Sequence, residues 1–232
     1  MRTSFRIRVH TGPEIFLTQD GSHTVVAEAH GLSYHSKYGA IRESMHVFIE
    51  AGLRPYLYAG RQVAVLEAGL GTGLNVFLSY LAAKPVQAEI YYEALEAFPL
   101  EAEFAAQLNY PSVLGVPEEV GVFSAIHREA WDCPVFLGPK FQFRKTKGKF
   151  EAYRGVGPFD VIYYDAFSPG AQPEVWKGDV LVHFYASLRP GGTMVTYCAK
   201  GEVKRTLRAL GFEIEVLPGP PGKREMVRAI KH

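Results

Sequence analysis

Cysteine is nearly missing from this chain. Cys133 and Cys198 are the only two among 232 residues, far apart and in no CxxC arrangement. That argues against a disulfide framework or a cysteine-rich zinc site and makes a reducing cytosol, hence a cytoplasmic protein, the expectation. No run is long and apolar enough to span a bilayer, and the opening MRTSFRIRVH lacks the apolar core of a secretion signal, so no membrane association is expected. The eight histidines show no H-x-x-x-H or His/Asp grouping, so no metal is expected. No G-x-S-x-G elbow and no Ser-His-Asp hydrolase signature occurs. Net charge is also close to absent, at +1, but it is uneven. Lys140, Arg144, Lys145, Lys147, Lys149 and Arg154 face Glu151 alone, and the stretch from 200 carries Lys200, Lys204, Arg205, Arg208, Lys223, Arg224, Arg228 and Lys231. Two basic regions on a neutral protein are either a nucleic-acid footprint or ordinary solvated surface.

What is present is a rhythm of short apolar runs and helical patterns. Residues 1–60 read as a β-rich extension: SFRIRVH alternates, EIFLTQDGSHTVVAEA is two runs around a Gln-Asp-Gly-Ser turn, and Ile41, Met45, Phe48 and Ile49 share a helical face. From 61 the pattern becomes strand, helix, strand, helix: RQVAVLEAG, LNVFLSYLAAK, QAEIYYEAL, PLEAEFAAQLN, FDVIYYDAF, GDVLVHFYASL, GTMVTYCAK, GEVKRTLRALG. Near-continuous apolar strands alternating with helices predict an α/β sheet covered on both faces over 61–232. FEIEVLPG and REMVRAI are joined by too few residues for a crossover helix, so the sheet should end in an antiparallel hairpin. The stretch from about 110 to 158 fits the rhythm poorly. It reads as an insertion before the fourth strand, with a short helix and a β-ribbon FQFRKTKGKFEAY.

VLEAGLGTGLN places Gly69, Gly71 and Gly73 between a buried strand and a helix, where glycines let a ligand approach the backbone. A dinucleotide fingerprint would need glycine at 74, which is leucine here. An acid before the loop, Glu67, and a second acid read as ending the next strand, Glu93, form the pattern of S-adenosylmethionine methyltransferases. The chemistry is consistent. That cofactor has no phosphate but carries an ammonium, a sulfonium and a ribose diol. Glu93 would accept from the diol, and Glu67 would hold the loop or meet the cationic end. Alternatives are a bare turn for the glycines and a helix N-terminal acid for Glu93.

FDVIYYDAFSP carries a buried strand to Asp165 and then breaks. In this order it is the fourth strand, whose end faces the transferred methyl. A carboxylate there, with the Ala166 or Phe167 carbonyl, can accept an amine's protons and orient its lone pair; the alternative is a cap for the segment at Ser168-Pro169. Other candidates are weaker. Tyr34, His35 and Ser36 could line the cofactor mouth, His127, Glu129 and Trp131 could wall the site, Trp176 could stack on a base, and Lys223 and Arg224 could meet a nucleic-acid phosphate or close the mouth. Each has a plain surface or packing alternative.

Three segments together resemble a family. LEAGLGTGLN from Glu67 to Asn75, D-x-F-x-P-x-x-x-P-x-x-W from Asp165 to Trp176, and GKREM from Gly222 to Met226 are similar to the methyltransferase part of the bacterial wobble-uridine modification family MnmC. The helix GAIRESMHVFIEAGL, with Glu43, resembles the family segment ahead of the loop. The resemblance implies a Rossmann-like fold and an S-adenosylmethionine-dependent methylation of the tRNA wobble 5-aminomethyluridine, giving 5-methylaminomethyluridine. It implies Glu67, the loop glycines, Asn75, Glu93 and Glu43 around the cofactor, beside the Tyr34 already read as a candidate there, Asp165 and Phe167 at the chemistry, and Trp176, Lys223 and Arg224 toward substrate. No oxidase part begins after 200, so a stand-alone methyltransferase is expected, partnered with enzymes that install the aminomethyl group. Where the family commonly has an acid near the adenine, this chain has Lys149. A methyltransferase of a small amine or a protein, or a non-catalytic RNA-binding protein of the same fold, are the alternatives.

Overall fold

The structure is a computed structural model that describes residues 12–27, 32–155 and 157–232. The alternating run at 4–10 lies outside the described residues. The chain opens with a small antiparallel sheet, β1 (Glu14–Leu17), β2 (His23–Ala27) and β3 (Leu32–Ser33). The β1–β2 turn is the expected Gln-Asp-Gly-Ser. Its Asp20 accepts the Ser22 N–H at 3.0 Å and, from the other side, the Arg42 N–H at 2.9 Å. One turn residue thereby satisfies an orphan donor at the start of α1 (Ala40–Ser44). The helix continues in a wider π form over Met45–Leu53 and lies against the main sheet, where Gly52 lets it approach Val195 and Tyr163.

Eight strands form that sheet: β4 (Gln62–Ala68), β5 (Glu89–Glu96), β6 (Val135–Gly138), β7 (Phe141–Lys147), β8 (Phe159–Tyr164), β9 (Leu188–Thr196), β10 (Phe212–Pro218) and β11 (Glu225–Lys231), in spatial order β10-β11-β9-β8-β4-β5-β7-β6. The helices between them are α2 (Leu74–Ala83), α3 (Ala102–Ala105), α4 (Tyr110–Val113), α5 (Val120–Arg128), α6 (Gly178–Ser187) and α7 (Gly201–Ala209). β7, β5, β4, β8 and β9 run parallel, and β11 and β10 close the sheet as the expected antiparallel hairpin. Period-two alternation splits the strands between two cores. Val63, Val65, Ile90 and Tyr92 face α1, α2 and α5; Leu66, Ile162, Tyr164 and Met194 face α6 and α7. Strand order reverses at β4/β8, so the crevice at their carboxyl ends is where an open α/β sheet binds ligands.

The stretch taken for an insertion is part of this sheet. Its FQFRKTK run is β7, parallel to β5 from Ile90↔Phe141 to Glu96↔Lys147. Its hairpin partner is the preceding β6 rather than the following KFEAY, where Phe150–Ala152 makes a 3₁₀ turn. β7 buries Phe141, Phe143 and Lys145 on one face but carries Gln142, Arg144 and Thr146 on the other, which dilutes its apolar signature. The helix expected over PLEAEFAAQLN shrinks to Ala102–Ala105. The chain turns there so that Leu108 and Tyr110 bury and Asn109 bridges to the amino-terminal sheet, accepting the His23 N–H at 2.8 Å and donating to the Gly21 carbonyl at 2.9 Å.

β8 has an acid at each end. Asp160, fully buried where the strand begins, accepts from Arg61 at 2.8 Å, Arg189 at 3.0 Å and the Ala64 N–H at 2.8 Å, a structural clasp. Asp165, just past the other end, opens onto the crevice.

Candidate functional site

A cavity of about 350 Å³ lies over the carboxyl ends of β4, β5, β8 and β9. The loop after β4 forms its floor. Gly69 has φ +100, and a β-carbon there would sit 2.8 Å from the Asp165 carbonyl oxygen; Gly71 has φ +49, and a β-carbon would meet the Tyr34 ring at 2.9 Å. Both positions therefore require glycine, because the conformation and the neighbours exclude a side chain. Gly73 precedes α2, its N–H donating to Leu70 O at 2.8 Å. His127 does not line the cavity; it braces the loop from behind with a ring nitrogen 3.1 Å from the Thr72 carbonyl. Glu129 and Trp131 stand apart too, Trp131 packing under the buried Lys145 ammonium at 4.7 Å.

The acid of β5 needs correction. The strand continues three residues past Glu93 and ends at Glu96. Glu93 projects with Tyr91 and Leu95 onto the α6 face, accepting from Tyr91 OH at 3.0 Å, and does not reach the cavity. Glu96 does. Its carboxylate accepts the Gly71 N–H at 2.9 Å and the Phe98 N–H at 2.7 Å, tying strand end to glycine loop. The signal was available in YYEALEAFP, where alternation runs on to Glu96 and only Phe98-Pro99 breaks it.

Glu67 is fully buried beneath the floor. Asn75 Nδ2 donates to its Oε1 at 2.8 Å and Tyr92 OH to its Oε2 at 2.9 Å. Burial pushes its carboxyl well above the usual range despite those donors. The same Asn75 amide donates to Asp165 Oδ2 at 3.0 Å, while its own Oδ1 is buried with no partner. Asp165 accepts no backbone N–H among the described residues, so it caps no turn; the Ala171 and Gln172 N–H groups go to Ser168 O instead. Removal from water, reinforced by Glu43, pushes its pKa up to about 7 against the Asn75 hydrogen bond and the Lys223 cation.

Around Asp165 the walls are aromatic and polar. Tyr34 meets Phe167 edge to face at 5.2 Å between centroids. His35 is buried, 2.8 Å from Thr72 Oγ1, and burial lowers its pKa to about 4. Tyr197, not anticipated from the sequence, follows the last residue of β9 and donates to the Ala166 carbonyl at 2.8 Å. Glu43 is buried, accepts the Ser36 N–H at 2.8 Å and pairs with Lys223 from the β10–β11 turn. Lys223 thus closes the mouth and is not a free phosphate ligand; Arg224 is exposed and outside the cavity. Lys149 lines the cavity beside Phe150 and Glu151, so an acid returns two residues later.

Trp176 is not a stacking platform. Its indole is 5% exposed, packs edge to face on Tyr164 at 5.0 Å and donates to the Phe167 carbonyl at 2.8 Å. It holds the Asp165–Phe167 turn from below. Trp176→Ala should destabilise the fold by about 3–5 kcal/mol in a denaturant titration, as the loss of a large buried aromatic does; a value under about 1 kcal/mol would show the indole to be dispensable to the turn.

The cavity is rich in acceptors. Glu43, Glu96, Glu151, Asp165 and Glu174 line it against Lys149 and Lys223. A phosphate-bearing nucleotide is disfavoured there, whereas a cationic ligand with hydroxyls to donate is matched. The orphaned Asn75 Oδ1 is an acceptor waiting for a donor. S-adenosylmethionine, with its ammonium, sulfonium and ribose diol, fits this donor set.

Known proteins are similar in the same direction. The family described as S-adenosyl-L-methionine-dependent methyltransferase matches residues 146–232. The tRNA 5-methylaminomethyl-2-thiouridine biosynthesis bifunctional protein MnmC of Chromohalobacter salexigens is 30% identical over 233 residues, 93% of this chain and 32% of that protein. The protein of the same name from Aromatoleum aromaticum is 29% identical over 91% of this chain and 34% of its own length. The chain therefore spans about a third of these relatives (32% and 34%). The crystal structure of MNMC2 from Aquifex aeolicus shares the fold, with a TM-score of 0.78 at 24% identity over 97% of this chain and 72% of that one. With its sheet order, its glycine loop and its acceptor-lined crevice, the chain is similar to S-adenosyl-L-methionine-dependent methyltransferases and to the matching third of the MnmC proteins.

Proposed function

We propose that this chain methylates the primary amine of the 5-aminomethyl group on the wobble uridine of tRNA, giving 5-methylaminomethyluridine. The observation that carries the reading is Asp165: a carboxylate at the end of β8, lining an acceptor-rich cavity, with Oδ2 held by Asn75 and Oδ1 unengaged among the described residues. Bound S-adenosylmethionine would supply an electrophilic methyl on sulfur. Glu96 is placed to accept from a ribose diol and Asn75 Oδ1 from an ammonium, with Glu67 locking the Asn75 amide. An amine arrives protonated and must lose a proton to expose its lone pair. A carboxyl tuned to about 7 can take that proton near neutral pH. The Ala166 and Phe167 carbonyls each accept one bond, from Tyr197 OH and Trp176 Nε1, and each keeps a second lone pair for the amine. Much of the rate enhancement then comes from placement.

The tRNA assignment draws on the likeness to MnmC and on the basic residues of the carboxyl-terminal half; a partner that installs the aminomethyl group is then required. The purified chain, given methyl-labelled cofactor and tRNA bearing 5-aminomethyluridine, should place label in 5-methylaminomethyluridine, read by nucleoside mass spectrometry. Unlabelled tRNA alongside labelled small amines from a metabolite extract would overturn the substrate and keep the chemistry.

A further inference from the structure

One ammonium group sits inside the crevice in a setting built to hold it. Lys223 Nζ lies 3.9 Å from the centroid of the Tyr197 ring and donates to Glu43 Oε1. The three residues come from the β10–β11 turn, from α1 and from just past β9, and all line the cavity that Asp165 lines. Glu43 is only 5% exposed, and its other oxygen is engaged by the Ser36 N–H at 2.8 Å. The Tyr197 ring is fixed in turn by its hydroxyl on the Ala166 carbonyl, beside Asp165. An aromatic face with a buried carboxylate is a cage for an alkylammonium, since ring quadrupole and carboxylate both attract the cation.

We infer that the Tyr197–Glu43 cage is the subsite that receives the substrate's primary ammonium, and that Lys223 occupies it as an internal stand-in which the substrate must displace; this rests on the amine reading of the site. The lysine side chain ends in the same CH₂–NH₃⁺ unit as an aminomethyl group. The Lys223 side chain is 32% exposed, so a path to solvent is open to it, while Glu43 is held in the wall. Departure of Lys223 alone would leave a buried carboxylate uncompensated, which is strongly unfavourable. Departure coupled to entry of another ammonium keeps the charge balanced. The exchange is therefore cation for cation, and neutral molecules do not drive it. Apparent affinity for the amine is lowered by the fraction of time the lysine holds the cage. Tyr197 and Glu43 then act on substrate placement, and Lys223 filters for charge.

The test is direct. Protein carrying ¹³Cε-labelled lysine should show one Cε–H signal displaced by the Tyr197 ring current. It should be absent in Lys223→Ala and return to the ordinary lysine position in Tyr197→Leu and in Glu43→Gln. Methylammonium chloride should move the wild-type signal saturably to the ordinary position, while sodium chloride at equal ionic strength moves it less than about a tenth as far. A Lys223 signal at the ordinary position from the start, or equal responses to the two salts, would overturn the proposal and leave a plain surface ion pair. Displacement without tRNA methylation would remove the tRNA substrate and keep the cage. Methylation without displacement would remove the cage and keep the substrate.

Discussion

Asp165→Asn should lower turnover by roughly 10²–10⁴-fold, the range for loss of a placed proton acceptor, while S-adenosylmethionine affinity by calorimetry stays within about tenfold. The variant should also be the more stable protein at alkaline pH. Removal from water raises the Asp165 pKa from the ordinary aspartate value to about 7. An acid with a raised folded pKa contributes its full stability below its unfolded pKa, near 4, and loses it as pH climbs through about 7. Asparagine has no charge to desolvate and can still accept from Asn75. The gain should be on the order of 2 kcal/mol at pH 8, discounted because the carboxyl faces an open cavity, and should vanish below about pH 4. The wild-type rate should rise with pH up to about 7 as the carboxylate forms, and the residual rate of the variant should lack that rise. Equal losses of turnover and cofactor binding would instead make Asp165 a cofactor or fold residue.

Glu96→Ala should weaken S-adenosylmethionine by about 100-fold or more, and Glu93→Ala by less than about threefold. Glu96 holds the Gly71 and Phe98 N–H groups at 2.9 and 2.7 Å and lines the cavity, so its removal loosens the loop and takes away a diol acceptor. A hydrogen bond to a charged group is worth about 1.5–3 kcal/mol, and each 1.4 kcal/mol is tenfold in affinity. Glu93 is engaged by Tyr91 on the α6 face of the sheet. Calorimetric titration of the two variants side by side decides the matter. The reverse order would return the role to Glu93.

Much of this site was legible in one dimension because its chemistry is carried by short contiguous segments. A loop that must turn between strand and helix needs residues 69, 71 and 73 to be small, and that need is written in adjacent letters. The apolar run before Asp165 forces a buried strand, and the Ser-Pro-Gly after it forces a stop, so a carboxylate at a strand end followed without knowing any neighbour. The closing hairpin followed from a linker too short for a helix. Where the reading failed, the deciding partner was remote. Glu93 and Glu96 differ by three positions in one acidic, aromatic stretch, and the pairing of β5 with β4 and β7 carries the strand on to Glu96 and shows which acid faces the crevice. FQFRKTK reads as one arm of a β-ribbon, and its place inside the main sheet is hidden because Gln142, Arg144 and Thr146 give its second face a polar signature, though Phe141 and Phe143 bury completely or nearly so against α2 and α5.

Composition, rhythm and local motifs thus pointed to the fold class, the cofactor class and a carboxylate, Asp165, at a strand end, because backbone sterics and burial act over neighbouring residues. Only the tertiary structure decided the contacts of Trp176, Tyr197, Glu43 and Lys223. Trp176 could have faced a base or the core, and its bond to the Phe167 carbonyl with Tyr164 packed against it settles that it faces the core. Glu43 and Lys223 are 180 positions apart and meet because the last hairpin folds back over the strand ends to the first helix. Long-range electrostatic pairing of this kind leaves no periodic trace along a chain, since either partner alone reads as an ordinary surface charge.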